Sequence, residues 1–413
     1  MFESLFTKKN TAKVLTEEDN IIALDIGTEQ LKTFLFNVTN VGVNIKKISR
    51  IEQQQNAMKS GIITNLDTVL ENCKLGMASV VERLSDEEMP RKVIMDIAGE
   101  YIQGVSIVVN YQREENFDKE ISEAEQTKIV TEIEDKIKST GKEDLGQRIG
   151  LTSEDIEILH ITRTGLRIGG MPVNSLVGYK GKDVVLYYYA SFAPKTYVEA
   201  LRKVASDLNM EVLGIVAQPF AVARSFSGSS NRDFSAIFID IGGGTTDIAI
   251  VEKGNVVETK MFAFGGRTFT KEISKALNLD YRYAEQRKIK YSNKELTSVL
   301  SREIQKVVYP TAMLWMKTLS SAFKYCDDIN NFPTQIYLCG GGALLPEIKE
   351  VMLEYPWRKN LPFATVPKIE FYTPDKMENV TDNSGELKYL FDITPAALTK
   401  FVYDNNKTPN AKG

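Results

Sequence analysis

Two kinds of apolar pattern run along the chain. Short unbroken apolar runs at 237–239 and 248–251 read as buried strands; they flank a glycine-rich loop and are followed by the turn "EKGNV". Residues 237–254, "IFIDIGGGTTDIAIVEKG", therefore predict a β-hairpin whose connection has no aliphatic side chain after Ile241. The same arrangement appears at 21–36, "IIALDIGTEQLKTFLF". Between the hairpins the pattern predicts a helix over 67–84, the strand "KVIMDIAG", a strand over 186–193 and the helix "PKTYVEALRKVASDLN" at 194–209. An inserted unit of roughly 100–182 opens with the strand "GVSIVVNY" and continues into a helix. There Ile129, Ile133 and Ile137 recur every fourth residue beside Val130, an amphipathic face. A second insertion, about 268–332, is almost wholly helical, and Pro310 is expected to end or kink its last helix unless the surrounding packing absorbs it.

Glycine weakens a strand end, so Gly242, Gly243 and Gly244 in a row ask what comes close to that backbone. Glycines allow positive φ and bring successive N–H groups within reach of an anion; Thr245 adds a hydroxyl, and Asp240 and Asp247 flank the loop. Carboxylates beside a phosphate suit Mg²⁺, which takes oxygen ligands and keeps several waters. A tight turn loosened by glycine is the plain alternative. The first hairpin repeats Asp-Ile-Gly-Thr at 25–28, about 215 residues earlier, which implies two related half-domains offering loops to the same phosphates. A third cluster, Gly340, Gly341 and Gly342 in "IYLCGGGALLPEIKEV", follows a strand and precedes a helix, a place from which backbone approaches a nucleotide.

At 413 residues, with 43% apolar and 26% charged residues, the chain can bury a large core and should hold two or more domains. A net charge of −4 with interspersed signs leaves no footprint for nucleic acid. Cys73, Cys326 and Cys339 lack metal spacing and fit structural burial in a reducing compartment. His160 is the sole histidine, so His-based triads and metal sites are not expected; it reads as a structural or surface residue. With no long apolar run and no signal peptide, a cytoplasmic protein is expected, placed at the inner face of the cell membrane if something tethers it. One candidate tether is "MFESLFTKK", where Phe2, Leu5 and Phe6 at helical spacing precede two lysines. At barely two turns, the segment reads first as a disordered terminus or a core staple.

The order of hairpin, insertion, second hairpin and late Gly-Gly-Gly resembles the actin-like ATPase superfamily. Within it, "SGIITNLDTVLENC" at 60–73 and "IAGEYIQG" at 97–104 look like FtsA, the bacterial cell-division actin homologue. "VAQPFAVARSF" at 216–226 and "GGRTFTKEIS" at 265–274 look equally like PilM of type IV pilus assembly. The resemblance implies an α/β actin-like ATPase fold, two duplicated RNase H-like domains around a nucleotide cleft. Residues 21–99 and 183–225, with 390–403 returning, would form the first domain and 226–389 the second, with 100–182 as an inserted α/β subdomain. Residues 1–20 would be an extension and 404–413 a flexible tail. ATP and Mg²⁺ are the implied cofactors. By this resemblance Asp25 and Asp240 hold the metal through water. Gly27, Thr28 and Lys32 meet phosphate, as do Gly242, Gly243, Gly244 and Thr245, with Asp247, Gly265 and Gly266 alongside. Gln218 orients the attacking water. Gly340, Gly341 and Gly342 flank adenosine, with Lys288 near the ribose or base.

A glutamine positions water but is a poor base, so any hydrolysis should be slow. Implied partners are a second copy of the chain in a protofilament and the tail of an FtsZ-like division protein. A membrane-protein peptide takes their place in the PilM-like case. FtsA ends in an amphipathic membrane helix, whereas the present sequence ends "DNNKTPNAKG", which leaves the N-terminal segment or a membrane partner as the expected routes to the membrane. A small-molecule kinase on the same fold would need an acid poised beside a substrate pocket, and no such constellation is evident in the sequence. A chaperone would need a peptide-clamping domain after the core.

Overall fold

The structure, a computed structural model, describes residues 15–226, 233–326 and 329–406. Phe2, Leu5 and Phe6 lie outside the described residues. The chain begins with three antiparallel strands, β1 (Ile21–Ile26), β2 (Gln30–Val38) and β3 (Val43–Glu52). A small ribbon of β4 (Met58–Lys59) and β5 (Ile62–Ile63) leads to α1 (Leu66–Val81), whose start is capped by the Asn65 side chain accepting from the Thr68 N–H. β6 (Lys92–Ile97) then pairs in parallel with β1. Every residue of β1 is buried, which is why it reads as a continuous apolar run rather than an alternation.

The insertion supplies β7 (Gln103–Gln112), α2 (Glu123–Ile149), β8 (Ile156–Ile168), β9 (Met171–Pro172) and β10 (Asp183–Pro194). Ile129, Ile133 and Ile137 turn their shared face of α2 into its own small core. The chain returns through α3 (Lys195–Asp207), β11 (Glu211–Ala217) and α4 (Gln218–Phe226). The second triple is β12 (Ala236–Ile241), β13 (Thr246–Glu252) and β14 (Asn255–Phe262). Three helices follow, α5 (Gly266–Leu277), α6 (Tyr281–Ser292) and α7 (Ser298–Lys324). The last elements are β15 (Gln335–Cys339), α8 (Pro346–Glu354), α9 (Trp357–Asn360), β16 (Lys368–Phe371), β17 (Val380–Asp382) and α10 (Ile393–Asn406).

The sheet orders expose a duplication. The first sheet runs β11-β6-β1-β2-β3-β17, and the second begins β16-β15-β12-β13-β14. In each, an antiparallel triple is extended by two parallel strands beside its first member, so both loops of interest leave the same edge of equivalent sheets.

Three features go beyond the sequence expectations. The insertion is not a separate sheet: β14 pairs with β7, and the second sheet continues β7-β10-β8-β9 to nine strands. Gly104 permits that junction, because a Cβ there would run into the Tyr189 and Thr259 hydroxyls. Helix α7 runs through Pro310 for 27 residues. Pro310 is exposed, and beside it the Thr311 hydroxyl donates to the Val307 carbonyl at 2.8 Å. The last helix reaches Asn406, whose side chain bonds the Leu15 backbone at both N–H and C=O, so the two ends of the described chain meet.

His160 is structural. It sits on β8 against Phe220 (ring centroids 4.7 Å apart) and Phe401 (5.9 Å), and it hydrogen-bonds Thr162. Burial, with Arg224 nearby, pushes its pKa down to about 3. The unfolded chain therefore takes up this proton as pH drops below about 6.5 while the native state does not, so native stability declines with falling pH from there toward 3. Linkage gives about 2 kcal/mol lost at pH 5 relative to neutral pH. Urea melts of wild type and His160→Gln across pH 5–8 should show this slope only in wild type.

Candidate functional site

The tips of the two hairpins, the glycine cluster after β15 and the first turns of α4, α5 and α10 surround one cavity of about 1250 Å³. Asp25, Gly27, Thr28, Lys32, Gln218, Asp240, Gly242, Gly243, Gly244, Thr245, Gly266, Lys288, Gly340, Gly341 and Gly342 all line it. Residues drawn from opposite ends of the chain thus converge on one cavity. Asp247 and Gly265 do not reach the wall among the described lining residues.

Register explains the pairs at the hairpin tips. Asp25 stands directly opposite Lys32 across β1 and β2, and their side chains form a buried ion pair at 2.7 Å. Although burial works against the Lys32 ammonium, Asp25 holds its pKa above the usual lysine range. The second hairpin places Asp240 opposite Asp247, acid facing acid. Burial, then Asp240, drive the Asp247 carboxyl well above its ordinary pKa. Its Oδ2 accepts from the Thr245 hydroxyl at 2.9 Å, so Asp247 braces the loop from behind instead of facing the cavity.

Asp240 is the hub. Its Oδ2 accepts from the Gln218 amide at 2.9 Å and from the Thr394 hydroxyl at 2.7 Å, while burial raises its pKa. Gln218, expected to orient water, here directs its NH₂ at Asp240 and Thr394. Thr394 was not anticipated. It arrives on α10, whose entry is fixed by Arg50 gripping the fully buried Asp392 with two bonds of 2.9 Å.

The glycine loop is held rigid from below. The Gly266 and Arg267 N–H groups donate to the carbonyls of Gly242 and Gly243 at 2.8 Å each. Gly265 is required for that crossing, since a Cβ would stand 2.6 Å from the Gly242 oxygen. Gly340 adopts φ +81, and Gly342 lies against Ile241, so the third cluster fits closely on the second hairpin. The Lys288 ammonium donates to Gly266 O (3.1 Å) and Thr270 Oγ1 (2.8 Å) and pairs with Glu285 (2.8 Å), which fixes it on the wall.

The loops also touch each other. A Cβ on Gly243 would lie 2.6 Å from the Glu29 side chain, and Gly244 abuts Thr28. Arg267 clamps this contact: its guanidinium pairs with Glu29 and donates to the carbonyls of Thr28 (2.6 Å), Met58 (2.6 Å) and Gln55 (3.1 Å). Tyr281 adds a bond to Glu29 at 2.8 Å. Arg267 directly follows Gly265-Gly266 and Glu29 follows Asp-Ile-Gly-Thr, but nothing in either local pattern signals that the two side chains meet. Asp96 is a further acid on the wall that the sequence reading passed over; burial, then Asp25, raise its pKa well above the ordinary value.

Chemically this is an oxygen-lined, glycine-edged cleft with two buried lysines, Lys32 and Lys288. Its donors suit a hydrated hard cation rather than a soft one, and among the described residues no cluster could chelate a metal directly. Nor is any described helix long and apolar enough to cross a membrane.

Such duplicated sheets around a glycine-edged cleft define the actin-like ATPase fold. The solved PilM–PilN type IV pilus biogenesis complex contains a chain that matches with a TM-score of 0.66 at 15% identity, over 93% of the present chain and 98% of that one. Residues 237–383 match the family model "Cell division protein FtsA". FtsA of Enterococcus hirae is 22% identical over 412 residues, covering 92% of this chain and 86% of that protein. FtsA of Streptococcus pneumoniae is 24% identical over 362 residues, 82% and 74% of the two. The chain thus has the actin-like ATPase fold, and its sequence likenesses run to FtsA while its structural likeness runs to PilM.

Proposed function

We propose that this chain is an ATP-binding actin-like scaffold of bacterial cell division, FtsA-like, which recruits or assembles division machinery at the inner face of the membrane. The observation that carries the reading is the meeting of both Asp-Ile-Gly loops and the third glycine cluster around one cavity. Similarity to FtsA running through 92% of the chain supports the division role. In this reading the backbone of 27–28 and 242–245 binds the phosphates, Lys32 balances their charge, and Gly340–Gly342 admits adenosine against the backbone. Asp25 and Asp240 would hold Mg²⁺ through its waters, and the ion would neutralise the charge on the phosphates. Gln218, committed to Asp240, is a weak activator of water, so nucleotide is held long and hydrolysed slowly at most.

The partners that follow are a second copy of the chain and an FtsZ-like tail. A PilM-like adaptor, binding a membrane-protein peptide, is the second reading; the helical unit α5–α7, without a strand pair, and the match to the PilM–PilN complex favour it. Co-sedimentation with anionic liposomes in ATP and Mg²⁺, imaged by electron microscopy, separates the two. Wild type should pellet as membrane-bound filaments and Asp240→Ala should not. A wild type that binds ATP yet stays monomeric and unattached contradicts the division reading and leaves the adaptor.

A further inference from the structure

Asp96 is the penultimate residue of β6, which lies between β1 and β11 in the first sheet. The parallel register Leu24↔Met95 makes Asp25 and Asp96 the next neighbours, side by side at the carboxyl ends of adjacent strands, roughly 4.8 Å apart along the sheet. On its other side Asp96 pairs with Val216, two residues before Gln218. Asp25, Asp96 and Gln218 therefore bring three oxygen-bearing groups to the floor of one cavity.

Asp96 differs from its neighbours in bonding no other side chain: its carboxylate accepts from its own backbone N–H and is drawn toward Lys32 only at a distance. Asp25 is paired with Lys32, and Asp240 is bonded by Gln218 and Thr394. Asp96 is only 5% exposed and lines the cavity, yet its carboxylate makes no hydrogen bond or ion pair with the side chain of another described residue. A buried carboxylate bonded only by its own backbone N–H keeps acceptor capacity that water in the cavity can fill. The floor cannot chelate a bare ion among the described residues, whereas an ion that keeps its waters can reach several such oxygens through them.

We propose that Asp96 is an additional positioning residue for the hydrated divalent cation that accompanies the nucleotide phosphates, accepting hydrogen bonds from the cation's waters beside Asp25. The proposal rests on the nucleotide reading above. Its consequence is a stronger coupling between cation and nucleotide than Asp25 and Asp240 provide alone, because the extra negative charge helps only when the cation is present.

The test is calorimetric titration of ADP into the full chain, once with Mg²⁺ and once with EDTA. The readout is the ratio of the two dissociation constants. Asp96→Asn should reduce the Mg²⁺ enhancement on the order of tenfold, the size of one charge interaction in a partly screened site, mainly through weaker binding in Mg²⁺. Asp96→Ser removes the same charge with a smaller side chain and should give the same ratio, which keeps the test valid if the asparagine variant folds poorly. An enhancement equal to wild type in a folded variant overturns the proposal. If wild type binds no ADP in either buffer, the nucleotide reading itself falls, so the two failures are distinguishable.

Discussion

Gly340→Ala should abolish nucleotide binding and destabilise the fold by about 2–4 kcal/mol. Gly340 holds φ +81 and ψ 161, a region that other residues scarcely occupy. A Cβ there would run into the Asp240 carboxylate and stand 2.5 Å from the Ile241 carbonyl oxygen. Either Asp240 leaves the bonds that Gln218 and Thr394 give it, or the third glycine cluster lifts off the second hairpin. Both outcomes dismantle the wall from two sides at once. Gly341→Ala is the control: its Cβ meets nothing nearer than Phe391 at 3.9 Å, so the fold should keep its melting temperature while nucleotide affinity weakens. Thermal melts and fluorescent-ADP titration of the pair check this; wild-type affinity in Gly340→Ala would refute the proposed close packing of the two glycine loops.

Arg267→Ala should have the next largest effect, a loss of about 2–4 kcal/mol and a faster release of bound ADP. Its side chain is 12% exposed and crosses the cleft to hold Glu29 and three backbone carbonyls. Removing it leaves those carbonyls and the Glu29 carboxylate short of donors exactly where the two hairpin loops touch. Arg267→Lys keeps the charge without the planar fork and should recover only part of the loss. Stopped-flow release of a fluorescent ADP, with limited proteolysis across 53–61, reads the change. Unaltered release rates in Arg267→Ala would mean that the bridge is decorative.

Much of this arrangement was visible in the chain. An apolar run into Asp-Ile-Gly-Thr and out again is local, and the structure forms both hairpins where that pattern falls, with Asp25 and Asp240 at the strand ends. Glycine clusters are legible for the same reason, since close backbone approach leaves its mark on residue type. What escaped was brought together by topology. Thr394 reaches Asp240 from 154 residues away, and Arg267 meets Glu29 across 238. Asp96 sits in a strand that looks like any other apolar run, and only its pairing beside β1 sets it next to Asp25. Opposed pairing also explains why Asp247, equal to Asp240 in the sequence motif, ends up behind the loop: adjacent like charges in a buried hairpin cannot share one cavity face at low cost. The fusion of the insertion with the second sheet depends on Gly104 meeting Tyr189 and Thr259, a long-range fit without local signature. Pro310 inside α7 shows the reverse, a strong local signal overridden because its face of the helix is solvated.

The central claim is that the cavity between the two lobes is a nucleotide site that requires a cation. Titration calorimetry of ADP into the wild-type chain with Mg²⁺ present tests it most directly. One nucleotide bound per chain, weaker in EDTA and absent in Gly340→Ala, is the predicted result. No binding at millimolar ADP by a folded protein would contradict it.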